Sequence, residues 1–383
     1  MNEWRQLVSL EIRALYSEAT KRPAKMKNDI DNGMSVYLDL LRFLAAFAVV
    51  MSHVWRLVFP YFPLPWPGHA AVIVFFVISG YVIAFASDRP ELSAAGYAVH
   101  RAVRILSVTV PALLLAVCIA PLAGTYSIPL AGPIPFPSNN FWHAIWINLL
   151  FLGESSWLNR ILPPFNPPYW SLSYEVWYYV IFGAWVFCSP RWRLVAALAV
   201  TICAGLKIAL LMPVWLLGVA VYRRRFTLVA DSARQLFVLT ALLAFAVYWF
   251  DLAVKIRAAM FVAWPAFMGD LHGSDQFVGD YLLGVIVAVN FIAAASMGRH
   301  FAGLVRWRRP IRYLASFTLS IYLLHLPLTV LIWNGLGVHF APAYALIMVA
   351  GIYIVGSCTE RRHRALRRWL ERQLRIKRYD LPA

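Results

Sequence analysis

The sequence predicts an all-α, polytopic integral membrane protein. Of its 383 residues, 61% are hydrophobic and only 14% are charged, well below the roughly one quarter usual in soluble domains. The apolar residues gather into stretches that approach the roughly 20 residues needed to cross a bilayer. The basic residues collect in the gaps between those stretches. Strongly basic gaps alternate with gaps that hold few, which is the signature of positive-inside topology.

In chain order the apolar stretches run over 37–59, 69–87, 105–123, 141–152, 169–188, 194–210, 212–222, 235–250, 279–297, 313–333 and 339–358. The basic gaps 1–36, 88–104, 189–193, 223–234, 298–312 and 359–383 hold 29 of the 35 Lys and Arg. Alternation is clean if 141–152 does not cross. That stretch is short and is followed by the Pro-rich run Leu162–Pro168, so it reads as re-entrant or interfacial. About 10 transmembrane helices result, with both termini on the cytoplasmic side. The shortest, 212–222, is the weakest, yet the basic gap Arg223–Arg225 demands a crossing there.

Three parts follow: a cytoplasmic N-terminal segment over 1–36, a transmembrane domain over 37–358 and a basic cytoplasmic tail over 359–383. Residues 1–36 lack the features of a cleaved signal peptide. Trp4, Leu7, Val8, Ile12 and Leu15 there recur at helical spacing, as do Leu366, Trp369, Leu370 and Leu374 in the tail. Both ends therefore predict interfacial amphipathic helices.

The net charge of +17 does not point to nucleic acid, because its distribution follows the membrane topology. Cys118, Cys188, Cys203 and Cys358 lie in apolar stretches without paired spacing, which predicts neither a disulfide framework nor a metal site. No Walker loop, dinucleotide fingerprint or zinc motif is present. His69 and His272 fall in outer gaps and read as rim residues.

Four polar features interrupt the apolar helices. In the first helix Arg42 and His53 stand eleven residues apart, about 16 Å along a helix that rises roughly 1.5 Å per residue. Ionisable groups at membrane depth need a partner or a task. Asp39 precedes Arg42 by three residues, so Arg42 reads either as a paired anchor or as part of a site. His53 reads either as a packing histidine or as a base. Arg101 and Arg104 share a face if their stretch is helical, and arginine forks suit phosphate oxygens. The run Tyr169–Tyr179 places Glu175 just inside a helix, among Trp170, Ser171, Ser173, Tyr174 and Trp177. The run Ser316–Leu328 places His325 at a depth like that of His53, one turn after Tyr322, with Pro327 positioned to kink the helix. In the second helix, Ser79-Gly80-Tyr81 permits close helix approach through Gly80.

At these residues the chain resembles the acyltransferase 3 family of bacterial multi-spanning O-acyltransferases. Arg42-x10-His53 is similar to the family's first-helix motif, and Phe75–Ile83 resembles its second-helix signature. Arg101-x-x-Arg104 matches an RxxR motif, Trp170–Glu175 a W-S-L-S-x-E block, and Ser320–Pro327 a late histidine block. Two positions depart from the pattern: Ile73 stands where an acidic residue is common, and Ser107 where proline is.

The resemblance implies an acyltransferase of the bacterial inner membrane. It would move an acyl group, by default acetyl, from cytoplasmic acyl-CoA to a hydroxyl of a surface or secreted carbohydrate such as lipopolysaccharide or exopolysaccharide. On this reading Arg101, Arg104, Arg42, Ser79 and Tyr81 meet the donor. His53 is the general base, Glu175 orients it, and Arg42 steadies the carbonyl oxygen. Trp170, Ser173, Tyr178, Tyr322 and His325 meet the acceptor, lipid-linked or free. No permanently bound cofactor and no metal is implied; acyl-CoA (acetyl-CoA) is a substrate, and membrane lipid is the other partner. The competing class is a secondary transporter of an anionic or lipid-linked solute. Buried Arg, His and Glu suit one, but the inverted repeats common among transporters are not evident.

Overall fold

The computed structural model describes residues 32–59, 61, 66–89, 92–122, 140–155, 160–374 and 376. The amphipathic helix expected within 1–36 lies almost wholly outside these residues, as does the end of the basic tail. Among the described residues all regular structure is helical. The α-helices are α1 (Asn32–Val58), α2 (Gly68–Ser87), α3 (Ala94–Ile119), α4 (Phe141–Leu149), α5 (Trp170–Phe187), α6 (Arg193–Ala204), α7 (Leu206–Arg224) and α8 (Ala230–Trp249). They continue as α9 (Leu252–Ala263), α10 (Pro265–Leu271), α11 (Phe277–Ser296), α12 (Ala302–Arg306), α13 (Arg308–Ala315), α14 (Thr318–Val330), α15 (Ala341–Cys358) and α16 (His363–Gln373).

Among the described residues eight helical segments are long and apolar enough to cross a membrane: Asn32–Val58, Gly68–Ser87, Ala94–Ile119, Leu206–Arg224, Ala230–Trp249, Pro265–Ser296, Thr318–Gly335 and Ala341–Gln373. The protein is therefore a polytopic helical membrane protein. Helix α5 falls outside this set because its first turns carry Ser171, Ser173, Tyr174 and Glu175. Helix α6 falls outside it because it has only 12 residues. Helix α4, with nine residues, is too short to span.

Several boundaries differ from the sequence reading. The break expected at 211–213 lies at Gly205, whose φ of 91° is a backbone state that glycine takes without strain. Helix α7 then runs on through Pro213. The expected weak span over 212–222 is thus a 19-residue helix, and its predecessor is the short one. The third helix begins at Ala94, not 105, because Ser93 caps it: the Gly96 N–H donates to Ser93 Oγ at 3.1 Å. Arg101 and Arg104 therefore stand on a continuous helix. The gap 251–278 contains two helices, α9 and α10.

Helices α2 and α7 cross closely at Gly80 and Gly218. A methyl group at Gly80 would run into the Trp215 carbonyl, and one at Gly218 into the Val77 carbonyl. Without solvent to drive association, such small-residue crossings let membrane helices gain contact. Apolar side chains such as Leu242 and Phe245 of α8, and Leu346 and Val349 of α15, are exposed, as lipid-facing surfaces require. On α16 the apolar Leu366 and Trp369 are exposed, as is Leu374 just beyond its end. Its Arg367 and Glu371 pair at 3.3 Å on the buried side. That is the amphipathic pattern expected of the tail.

Candidate active site

A narrow cavity of about 80 Å³ lies among α1, α2, α3, α5 and α14, and Arg42, Ser79, Arg101, Arg104, Glu175 and Tyr322 line it. Each polar group has a local reason to be there. Arg42 Nη1 donates to Asp39 Oδ1 at 3.1 Å, so the i,i+3 pair forms as expected. Arg101 is buried, with its guanidinium 5.8 Å from the centre of the Tyr179 ring and Nη2 donating to His100 Nδ1 at 2.9 Å. Arg104 is one turn further along the same face. Ser107, standing where proline is common, donates its hydroxyl to the Arg104 carbonyl at 3.0 Å.

Glu175 is held from two sides. Ser79 Oγ donates to Glu175 Oε1 at 2.7 Å, and the Tyr179 hydroxyl donates to the same oxygen in a short hydrogen bond. Trp215 Nε1 in turn donates to Ser79 Oγ at 3.1 Å. The close crossing at Gly80 and Gly218 is what brings Trp215 over Ser79. Glu175 thus belongs to the arginine cavity. The sequence predicts that Glu175 orients His53; among the described residues the side chain beside His53 Nδ1 is that of a different residue.

That residue is His325, whose Nε2 lies 3.2 Å from His53 Nδ1, with the ring centres 5.1 Å apart. The surrounding carbonyls assign the protons. His325 Nδ1 faces the carbonyls of Tyr322 at 2.8 Å and Ile321 at 3.1 Å, so it carries a hydrogen and Nε2 is left with a lone pair. His53 Nδ1 faces the Val49 carbonyl at 2.8 Å, so it too carries a hydrogen, shared with that lone pair. The neutral His53 ring therefore keeps its Nε2 lone pair free. His325 is fully buried, while His53 is partly exposed, so His53 is the ring that a reactant can reach.

Tyr322 separates the two features. Its hydroxyl donates to the Pro168 carbonyl at 2.8 Å and lies 2.6 Å from Ser171 Oγ. The Pro-rich run is anchored one residue further along α14. Pro327 has no N–H for the Leu323 carbonyl, and Asn166 Nδ2 donates to that carbonyl instead, at 2.8 Å. This lets Phe165, at φ 61°, sit fully buried beside it.

Other expected site residues point elsewhere. Tyr81 packs edge-on against Tyr222 and Phe291 and does not line the cavity. Tyr178 is buried, and its hydroxyl donates to the Ile208 carbonyl at 3.0 Å. Ser173 is fully buried, with its hydroxyl unpaired among the described residues. Trp170 lies outside the cavity and stacks on His69, with ring centres 5.9 Å apart.

His69 is not the rim residue expected. Its Nε2 contacts both Asp280 carboxylate oxygens, at 3.0 and 3.1 Å, and Asp280 is 2% exposed. An acid in the first turn of an apolar helix is the same kind of signal as Arg42, and it marks Asp280 in the sequence. Tyr179 was equally findable, four residues after Glu175 on one helix face. No group of three or more His, Cys, Asp or Glu side chains among the described residues could hold a metal.

The family match places this polytopic helical protein in the class of membrane acyltransferases. The chain belongs to the acyltransferase 3 family, whose profile, described as an acyltransferase domain, matches residues 35–359. The chain is also similar to the acyltransferase MdmB of Streptomyces mycarofaciens, at 33% identity over 120 residues. That match covers 31% of this chain and 28% of the relative. No solved structure matches the chain.

Proposed function

We propose that the protein transfers an acetyl group from cytoplasmic acetyl-CoA to a hydroxyl of a surface carbohydrate, from within the bacterial inner membrane. In this arrangement ten helices span the bilayer, α5 and α6 among them, and both termini are cytoplasmic. The observation that carries the reading is the pairing of a narrow three-arginine cavity with a histidine pair one turn beyond Tyr322.

Arg101 and Arg104 meet the donor phosphates, as guanidinium forks do. Arg42, held by Asp39 and eleven residues before His53 on α1, adds a third guanidinium along the donor's path, away from the reacting carbonyl. Glu175, through Ser79 and Tyr179, balances the arginines and holds Arg101 in place. His53 Nε2 takes the proton from the acceptor hydroxyl. The oxygen attacks the thioester carbonyl and forms a new C–O bond; the C–S bond then breaks and the thiolate leaves, receiving the proton back from His53. His325 Nε2 and the Val49 carbonyl stabilise the imidazolium meanwhile, the part a carboxylate plays in a triad.

The test is thiol release from acetyl-CoA by the purified protein in nanodiscs, with and without candidate glycans. Mass spectrometry of the surface glycan with and without the gene would locate the acceptor. Glycan-dependent thiol release that vanishes in His53→Ala supports the reading. Release that persists in that variant removes His53 from the chemistry.

A further inference from the structure

A second, much wider concavity adjoins the cavity. It has a volume of about 600 Å³, and Arg42 and Arg104 line both spaces. Helix α13 adds Arg309 and Arg312, and the segment from the end of α15 into α16 adds Arg361, Arg364 and Arg367. Seven arginines thus face two carboxylates, Asp39 and Glu360.

The carboxylates do not neutralise this bowl. Asp39 is shared by Arg42 at 3.1 Å and Arg312 at 3.7 Å. Glu360 is spent on the start of α14, where it accepts from the Leu319 and Ser320 N–H groups at 3.1 and 2.8 Å and from Ser320 Oγ at 2.7 Å. Arg104, Arg309, Arg361 and Arg364 form no ion pair with a carboxylate among the described residues. Arg361 is held in place, its guanidinium 4.9 Å from the Tyr313 ring centre and 5.5 Å from that of Phe317. Pre-set guanidinium groups of one sign call for a multiply charged anion of phosphate type.

Shape supplies the second argument. A wide basic bowl that narrows into a slender arginine-lined cavity matches a molecule with a bulky anionic head and a thin arm. We propose that the bowl seats the 3′-phosphorylated nucleotide end of the donor, with Arg309, Arg361 and Arg364 reading the ribose 3′-phosphate. The bowl then selects acyl-CoA over carriers that present only a phosphopantetheine arm. This rests on the acyl-CoA reading above.

The experiment compares kcat/KM for acetyl-CoA and for acetyl-3′-dephospho-CoA, in nanodiscs of zwitterionic lipid. The expected loss on removing the 3′-phosphate is roughly 10- to 100-fold, the size of one or two charge-assisted hydrogen bonds. In Arg361→Gln/Arg364→Gln the ratio between the donors should fall toward one, since the double-mutant logic isolates the phosphate contact. Adenosine 3′,5′-bisphosphate should compete with acetyl-CoA better than adenosine 5′-monophosphate does. Equal use of the two donors by the unmodified protein would overturn the assignment and leave the acyl-CoA reading standing. So would a preference that survives in the double variant. Transfer from neither donor would remove the acyl-CoA reading, and this one with it. If the bowl instead seats an anionic lipid headgroup, the donor ratio is one and KM rises in phosphatidylglycerol nanodiscs, which also overturns it.

Discussion

His325 Nε2 approaches His53 Nδ1 at 3.2 Å, across 272 positions of sequence and between helices α14 and α1. Both rings are pinned by carbonyls of their own helices. The pair therefore has one defined proton arrangement, which leaves His53 Nε2 as the free lone pair. His53→Ala should lower kcat by about 10²–10⁴, the usual worth of a general base. His325→Ala should lower kcat less, by roughly 10- to 100-fold, with little change in the KM for donor. Steady-state kinetics on both variants checks the order; equal losses would mean that His325 itself touches the reactants.

Arg101→Ala should raise the KM for acetyl-CoA by roughly 10- to 100-fold, the scale of a charged hydrogen bond, with acceptor KM unchanged. Glu175→Gln should do so less, because an amide oxygen still accepts from Ser79 and Tyr179. Donor and acceptor titrations on each variant separate the two effects. A rise in acceptor KM alone would move Glu175 to the other substrate.

Asn166→Ala should destabilise the protein by about 1–3 kcal/mol, because it strips the buried Leu323 carbonyl of its donor. Pro327→Ala restores an N–H at the right place in α14. Combined with Asn166→Ala it should recover part of the loss, a coupling readable from unfolding midpoints of the four proteins in detergent. Strict additivity would show that Asn166 matters for another reason.

Gly80→Ala and Gly218→Ala should each cost about 1–3 kcal/mol or more, since the added methyl meets backbone. Both should also disturb the hydrogen bond from Trp215 to Ser79, and with it Glu175. Activity should then fall further than stability alone explains, which is measurable as specific activity per folded molecule.

His69→Ala leaves the Asp280 carboxylate buried without its partner. The expected loss is about 1–3 kcal/mol, below the usual figure for a broken buried pair because His69 is partly exposed. Asp280→Asn should cost less than His69→Ala. Thermal unfolding of the two variants gives the comparison.

The helical membrane class was legible in composition and gap charge, and the family in five motifs that recur in order. Local pairs were legible too: Asp39 and Arg42 meet because three residues of helix bring them together. Pairings across helices were not. Periodicity says which face a residue occupies, but not which helix covers that face. Trp215 finds Ser79 only because Gly80 and Gly218 let α2 and α7 approach, and Glu175 meets Ser79 across 96 positions. His69 finds Asp280 211 positions away. Hydropathy also misplaced the start of α3, since its first turns carry Arg101 and Arg104, which line internal cavities instead of facing lipid. Ser93, a capping residue just before that stretch, marks the true start.

Arg42, Arg101 and Arg104 also determine what else can enter the narrow cavity. A slender polar passage in an energised membrane is a danger to the cell, because hydronium and sodium ions could run down it. Fixed guanidinium charges repel both, as a lone arginine does in water-selective pores. On the proposed reading the groups that receive an anionic donor also insulate the bilayer, and the ion gradient survives each round of transfer.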